Sequence, residues 1–165
     1  MSLSFQGRAI LPGAAEGRVL VSRRGLNTYA AFFTSIHEPG TQALCMDREN
    51  PDLFGLDLKD RIICLPQTTG STSSGAVWQR LALLHCAPKA VLFSETIDPL
   101  AAGGLIVAEV WAGRRIITID ELGPEFLPAV SSGDLVGITE QGLVIVEKHD
   151  LERGVPLATT GETPH

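Results

Sequence analysis

Several features that mark common classes of protein are missing from this 165-residue sequence. Lys and Arg total 13 against 19 Asp and Glu, a formal net charge of −6. The few basic residues are scattered, whereas nucleic-acid phosphates are held by clustered Lys and Arg. No apolar run approaches the roughly 20 residues of a membrane-spanning helix, and no basic segment leads into a hydrophobic stretch at the N-terminus. These absences predict a cytoplasmic protein that binds neither nucleic acid nor membrane.

Cysteine is also sparse. Cys45, Cys64 and Cys86 lie about twenty residues apart, and no C-x-x-C pair is present. Neither a disulfide framework nor a zinc site is indicated, and an iron–sulfur cluster would need ligands from another polypeptide.

Aromatic residues make up 5% of a chain with 17 glycines, which favours a compact, β-rich body with tight turns.

The first part of the chain changes from β patterns to irregular sequence. Apolar runs at 8–11 and 17–21 flank Pro12-Gly13, which predicts two strands with a turn between them. Residues 23–60 show no periodicity, and so long an irregular stretch within a compact domain is typical of a functional or partner-ordered region.

Residues 61–119 predict two successive strand–helix–strand units, which imply right-handed parallel crossovers with helices covering the sheet. The predicted elements are strands at 61–65, 90–93 and 115–119, a helix at 76–85, and a helix at 100–109 with Asp98 as N-cap and Pro99 in the first turn. A hairpin is predicted at 134–146. The predicted fold is therefore α/β, with central parallel strands, crossover helices and antiparallel β-hairpins. One domain is expected over 1–148, followed by a flexible C-terminal tail over 149–165.

The most unusual segment is Gln67–Gly75, which reads Gln-Thr-Thr-Gly-Ser-Thr-Ser-Ser-Gly between a buried strand and a helix. It has no charged side chain, and its hydroxyl and backbone N–H groups lie at a helix N-terminus, where a carboxylate or phosphate is favoured. Gly70 and Gly75 would let the backbone approach a ligand. Simple capping of the helix by Ser73 or Ser74 explains the same pattern, so composition alone leaves both interpretations open.

Several motifs resemble the small subunit, or swivel domain, of the aconitase X family. They are Leu65-Pro66 followed by Gly70-Ser71-Thr72, then Ala87-Pro88-Lys89-Ala90, then Ala101-Ala102-Gly103-Gly104. Similar opening and closing segments extend the resemblance to most of 7–147. The family's swivelling β/β/α domain is similar to the mobile domain of aconitase. It closes over a substrate held on a large subunit that contains iron or an iron–sulfur cluster.

The resemblance implies a dehydratase, or hydro-lyase, subunit that is inactive without its large subunit. Family members dehydrate hydroxy acids such as cis-3-hydroxyproline and phosphomevalonate. Ser71 matches the family's catalytic serine, the proton acceptor, and Gly70, Thr72, Ser73 and Ser74 are expected to bind the substrate. No metal or cofactor is expected on this chain alone, because the iron or iron–sulfur cluster belongs to the large subunit. Homo-oligomerisation of the isolated chain stays open.

Residues 27–41 depart from the family pattern. A loop with Gly-Gly and Phe or Trp is usual there, whereas this chain has Ala30-Ala31-Phe32-Phe33. The departure leaves open the identity of the hydroxy acid and the alternative of a non-catalytic ligand-binding or interaction module. A phosphohistidine-carrying swivel domain is a further alternative, but residues 67–75 contain no histidine. His37, within the departing region, is interpreted as a surface residue.

Overall fold

The computed structural model describes residues 1–70 and 73–149. The predicted tail lies outside the described residues, apart from residue 149. Within the described ranges the chain forms ten strands and five helices. The strands are β1 (Ser2–Gln6), β2 (Arg8–Leu11), β3 (Ala15–Val21), β4 (Leu26–Asn27), β5 (Ile62–Leu65), β6 (Thr68–Thr69), β7 (Ala90–Phe93), β8 (Ile117–Asp120), β9 (Leu135–Ile138) and β10 (Leu143–Glu147). The helices are α1 (Thr28–Ala31), α2 (Phe33–His37), α3 (Ser74–Leu83), α4 (Pro99–Ala112) and α5 (Phe126–Ala129). None of these helices is long and apolar enough to cross a membrane.

Eight strands form one mixed sheet in the order β1-β10-β9-β3-β5-β7-β8-β2. The two edge strands, β1 and β2, are consecutive in the chain and are separated only by Gly7. The sheet therefore curls until its edges meet at this residue, which makes a nearly closed barrel. Glycine is needed at the corner, because a Cβ there would lie 2.6 Å from the carbonyl oxygen of Asp120.

The central strands β3, β5, β7 and β8 run parallel to one another, with α3 and α4 as crossover helices. This arrangement confirms the two predicted strand–helix–strand units. Side chains of β5 alternate between two cores: Ile63 and Leu65 pack on the helix side, and Ile62 and Cys64 face the barrel interior. A strand covered on both faces needs the continuous apolar run that the sequence shows.

The antiparallel strands match the prediction in position more closely than in pairing. The predicted hairpin is confirmed by β9 and β10, which pair with Val144 opposite Ile138. Strands β2 and β3 lie on either side of Pro12-Gly13, as predicted, but they are not partners. Strand β2 pairs with β8, and β3 pairs with β5 and β9. The turn therefore carries the chain between distant positions in the barrel.

Residues 23–60 contain two short helices and an ordered segment that is held by buried polar side chains. The Nδ2 group of the fully buried Asn50 donates to the hydroxyl of Ser22 at 2.8 Å. The buried carboxylate of Asp47 accepts the backbone N–H of Asn27 at 3.1 Å. These side chains replace the ladder bonds of a longer strand, and they fix the path of the chain from β3 into β4.

Thr28, the first residue of α1, is fully buried, and its hydroxyl oxygen has no hydrogen-bond partner among the described residues. An unsatisfied buried hydroxyl costs about 1–3 kcal/mol. We therefore expect Thr28→Val, which keeps the shape, to raise the free energy of unfolding in urea by about 1 kcal/mol. Thr118→Val is the matched control, because the buried hydroxyl of Thr118 donates to the carbonyl oxygen of Ile116 at 2.9 Å. The control should lose about 1 kcal/mol, and an equal loss in Thr28→Val would contradict the prediction.

Candidate active site

The carboxyl ends of the parallel strands lie at one edge of the sheet. Strand β3 leads there into β4, β5 leads into the segment that precedes α3, and β7 leads into the segment that precedes α4. Ligands of parallel α/β sheets bind at this edge. The predicted loop at 67–75 therefore begins where a ligand site is expected.

The loop's backbone is tightly confined at Gly70. This residue has a φ of +118°, a conformation that residues with a side chain rarely adopt. Strand β6 pairs in parallel with β4 and places Thr69 opposite Asn27. A Cβ on Gly70 would lie 3.0 Å from the Oδ1 atom of Asn27, so the dihedral angle and the neighbouring amide both require glycine. The next two predicted site residues, Ser71 and Thr72, lie outside the described residues.

The loop continues into α3 through two serines that face different surroundings. Ser73 occupies the N-cap position with helical dihedral angles, is exposed, and makes no capping hydrogen bond through its side chain. Ser74 is 5% exposed and lies on the buried face of α3 with Val77. Capping of α3 by the Ser73 side chain, one of the two forms of the simpler explanation, is therefore wrong.

Gly75 permits a close approach of α3 to α4. A Cβ on Gly75 would lie 3.1 Å from the carbonyl oxygen of Leu100, and a Cβ on Gly104 would lie 2.3 Å from the carbonyl oxygen of Gly75. The glycine pair lets the first turn of α3 rest directly on α4. This contact fixes the position of the helix end that carries Ser73.

Two acidic residues tie the start of the loop to the chain that follows β7. Asp98 caps α4 by accepting the backbone N–H of Ala101 at 2.9 Å, which confirms its predicted role, and it also accepts the hydroxyl of Thr68. Glu95 accepts the side-chain amide of Gln67 at 2.8 Å. Both carboxylates are thus engaged by neutral groups at the edge of the sheet.

A third carboxylate at this edge, that of Asp120, is fully buried at the end of β8. It accepts two hydrogen bonds from Arg8, at 3.0 and 2.8 Å, and the backbone N–H of Ile97 at 2.8 Å. The hydrogen bond to Asp120 and its charge raise the pKa of the Arg8 guanidinium. Because Arg8 neutralises this carboxylate, an anion bound nearby meets little repulsion from it.

A groove of about 490 Å³ lies between α2 and α3 and reaches the loop at Ser73. Tyr29 and His37 form one wall, and Arg80 lies on the other. The His37 ring packs on Phe33 with centroids 4.6 Å apart, and its Nε2 atom is 3.3 Å from the Tyr29 hydroxyl. The prediction of a surface position for His37 is confirmed, but sequence reasoning missed Tyr29 and the groove. Tyr29, Phe33 and His37 follow one another at intervals of four residues, and this helical spacing was the signal that could have predicted their cluster.

The cysteines are poorly placed for metal binding or nucleophilic chemistry. Cys45, Cys64 and Cys86 are free and buried, and burial raises the pKa of each thiol. Thiolate is the form that binds metals. In the described part of the chain, no three His, Cys, Asp or Glu side chains are grouped so that they could hold a metal ion. These residues therefore do not fit an iron or iron–sulfur cluster, which the family resemblance places on the large subunit.

Comparison with known proteins extends the resemblance found in the sequence. Residues 4–147 match the family model described as the aconitase X swivel domain. A phosphomevalonate dehydratase small subunit from Thermococcus sibiricus is 33% identical over 147 residues, which cover 88% of this chain and 100% of that protein. A cis-3-hydroxy-L-proline dehydratase from Hypocrea jecorina is 33% identical over 112 residues, which cover 68% of this chain and 17% of that protein.

The fold agrees with that of a solved relative. The crystal structure of Thermococcus kodakaraensis aconitase X in its holo-form superposes with a TM-score of 0.74 at 24% identity, covering 88% of this chain and 99% of that chain. This similarity confirms the predicted swivel architecture of parallel strands, crossover helices and antiparallel hairpins. The match to the family model spans well over half of the sequence. The chain belongs to the aconitase X swivel domain family.

Proposed function

We propose that this chain is the small subunit of an aconitase X-type dehydratase, which removes water from a hydroxy acid at a site shared with a large subunit. The observation that carries the proposal is the extent of the match. The chain covers the whole of a protein named as a small subunit, but only 17% of a longer dehydratase. A protein named as a small subunit implies a large subunit as its partner, and we extend that partner to this chain. The alternative of a phosphohistidine carrier lacks support, since the loop has no histidine.

Within this complex we assign the role of the base to Ser71. Removal of a proton from the carbon beside a carboxylate needs a strong base, and an ordinary serine hydroxyl is almost fully protonated at neutral pH. The flanking residues Gly70 and Ser73 support the assignment, because they lie at the carboxyl edge of the sheet and at the start of the ten-residue helix α3. The positive end of a helix stabilises a negative oxygen, and the first turn of α3 has no acidic side chain to oppose it.

The proposed reaction divides between the two chains. The deprotonated Ser71 oxygen takes the proton from the carbon beside the carboxylate, and the bonding electrons form the new double bond. The hydroxyl group leaves as hydroxide and takes a proton from an acid of the large subunit to become water. We assign departure of the hydroxyl group to the large subunit, which is also proposed to hold any iron or iron–sulfur cluster. Gly70, Thr72 and Ser73 are proposed to bind the substrate carboxylate. Ser74, whose side chain is buried, would contribute only its backbone N–H.

Reconstitution with the aconitase X-type large subunit of the same organism tests the proposed function. We expect the mixture to dehydrate a hydroxy acid and neither chain to do so alone, because the active site is shared. Phosphomevalonate and cis-3-hydroxy-L-proline head the substrate panel, and proton NMR in D₂O follows both the new double bond and exchange of the abstracted proton. A stable complex in which no hydroxy acid exchanges a proton or loses water would instead favour the non-catalytic module.

A further inference from the structure

Asn27 lies at the same edge of the sheet as the loop that contains Ser71. Pairing of β4 with β6 brings Asn27 opposite Thr69. Its Oδ1 and Nδ2 atoms lie 3.0 and 3.5 Å from the position that a Cβ would take on Gly70. The side-chain amide therefore lies beside Gly70, the residue that precedes Ser71.

One hydrogen bond holds the backbone of Asn27, and a second orients its side-chain amide. The backbone N–H of Asn27 donates to the buried carboxylate of Asp47 at 3.1 Å. The Oδ1 atom accepts the backbone N–H of Ala30 at 3.1 Å and thereby caps α1. Because the oxygen must face this backbone donor, the other terminal atom is the nitrogen.

The Nδ2 group of Asn27 makes no hydrogen bond to another described residue, although the oxygen and the backbone are both engaged. An amide nitrogen has two N–H donors, and the side chain is only partly buried. The first turns of α1 and α3 contain no acidic side chain that could accept from it. Among the described residues nothing accepts from this donor beside Gly70, so it can donate to a ligand.

We propose that Asn27 is a substrate-binding residue of this site, and that its Nδ2 group donates a hydrogen bond to the carboxylate of the hydroxy acid. The proposal rests on the proposed function and adds a contact from outside the serine loop. A neutral amide suits this task, since its N–H group donates to a carboxylate and is itself a very weak acid. The same side chain therefore caps a helix through its oxygen and binds substrate through its nitrogen.

Asn27→Ser and Asn27→Asp separate these two roles. Both replacements keep a side-chain oxygen that caps α1, since Ser, Asp and Asn are comparable N-cap residues, and both should retain the wild-type melting temperature. In the reconstituted complex, Asn27→Ser is expected to raise KM about ten- to a hundred-fold through loss of one hydrogen bond to a charged group, with a smaller change in kcat. Asn27→Asp is expected to raise KM further, because its carboxylate repels that of the substrate.

The outcomes distinguish this contact from the proposed function itself. Wild-type KM and kcat in both variants would overturn the contact and leave the dehydratase assignment in place. A wild-type complex that binds hydroxy acids without turning them over would count against the dehydratase. In that case the side-chain NMR signals of Asn27 still decide on the contact, because they must shift when the hydroxy acid is added, and unchanged signals would overturn it.

Discussion

Ser71→Ala is expected to lower kcat for dehydration by the reconstituted complex about 100- to 10,000-fold, the range in which a general base contributes. Alanine removes only the hydroxyl oxygen that we propose as the proton acceptor. Proton exchange between substrate and D₂O should fall by the same factor, because exchange needs abstraction alone. Melting temperature and assembly with the large subunit should not change, because the substitution deletes a single oxygen atom.

Ser73→Ala is the matched control for Ser71→Ala. It deletes a hydroxyl from an exposed serine two positions along the same segment and is expected to alter KM more than kcat. The pH profile adds a second test. A base acts in its deprotonated form, so the wild-type rate should fall as pH is lowered. The residual activity of Ser71→Ala should not show this fall. Exchange at the wild-type rate in Ser71→Ala would remove Ser71 from the role of base.

The sequence was sufficient to predict those elements whose signals are local. The run at Ala90–Phe93 is apolar because helices cover one face and the barrel interior the other, and it was predicted to the residue. Asp98 and Pro99 marked the start of α4 correctly, because capping chemistry depends on neighbouring residues. The end of α4 came later than predicted, at Ala112 with Gly113 beyond it in the left-handed conformation. Gly113 was the missed signal, because a glycine in this conformation commonly ends a helix.

What the sequence could not predict depends on contacts between distant residues. Strand β1 pairs with β10, which lies more than a hundred residues later in the chain. No local sequence pattern predicts this pairing. Asn50 holds Ser22 across 28 residues of irregular sequence. In the candidate site, too, local features were predicted and contacts between distant residues were not. The motif around Ser71 was identified through family resemblance, whereas Asn27 comes to it only through the parallel pairing of β4 with β6.

Gly104→Ala is expected to lower the free energy of unfolding by about 3 kcal/mol, although alanine is the better helix former. The new Cβ would lie 2.3 Å from the carbonyl oxygen of Gly75 and 2.6 Å from its Cα. Both are backbone atoms in the first turn of α3, so the clash cannot be relieved by a side-chain rotation. The two helices would have to separate, at the cost of their shared buried contacts.

Gly103→Ala offers a matched control one residue away in the same helix. A Cβ on Gly103 meets nothing within 4 Å, so this variant should gain about 1 kcal/mol from helix propensity. Urea denaturation of the two variants should therefore give changes of opposite sign, and a gain in both would contradict the proposed packing. Where Gly104→Ala still folds at low temperature, displacement of the first turn of α3 should also reduce turnover in the complex. The reason is that this turn carries the Ser73 end of the candidate site, and catalysis depends on its position within about an ångström.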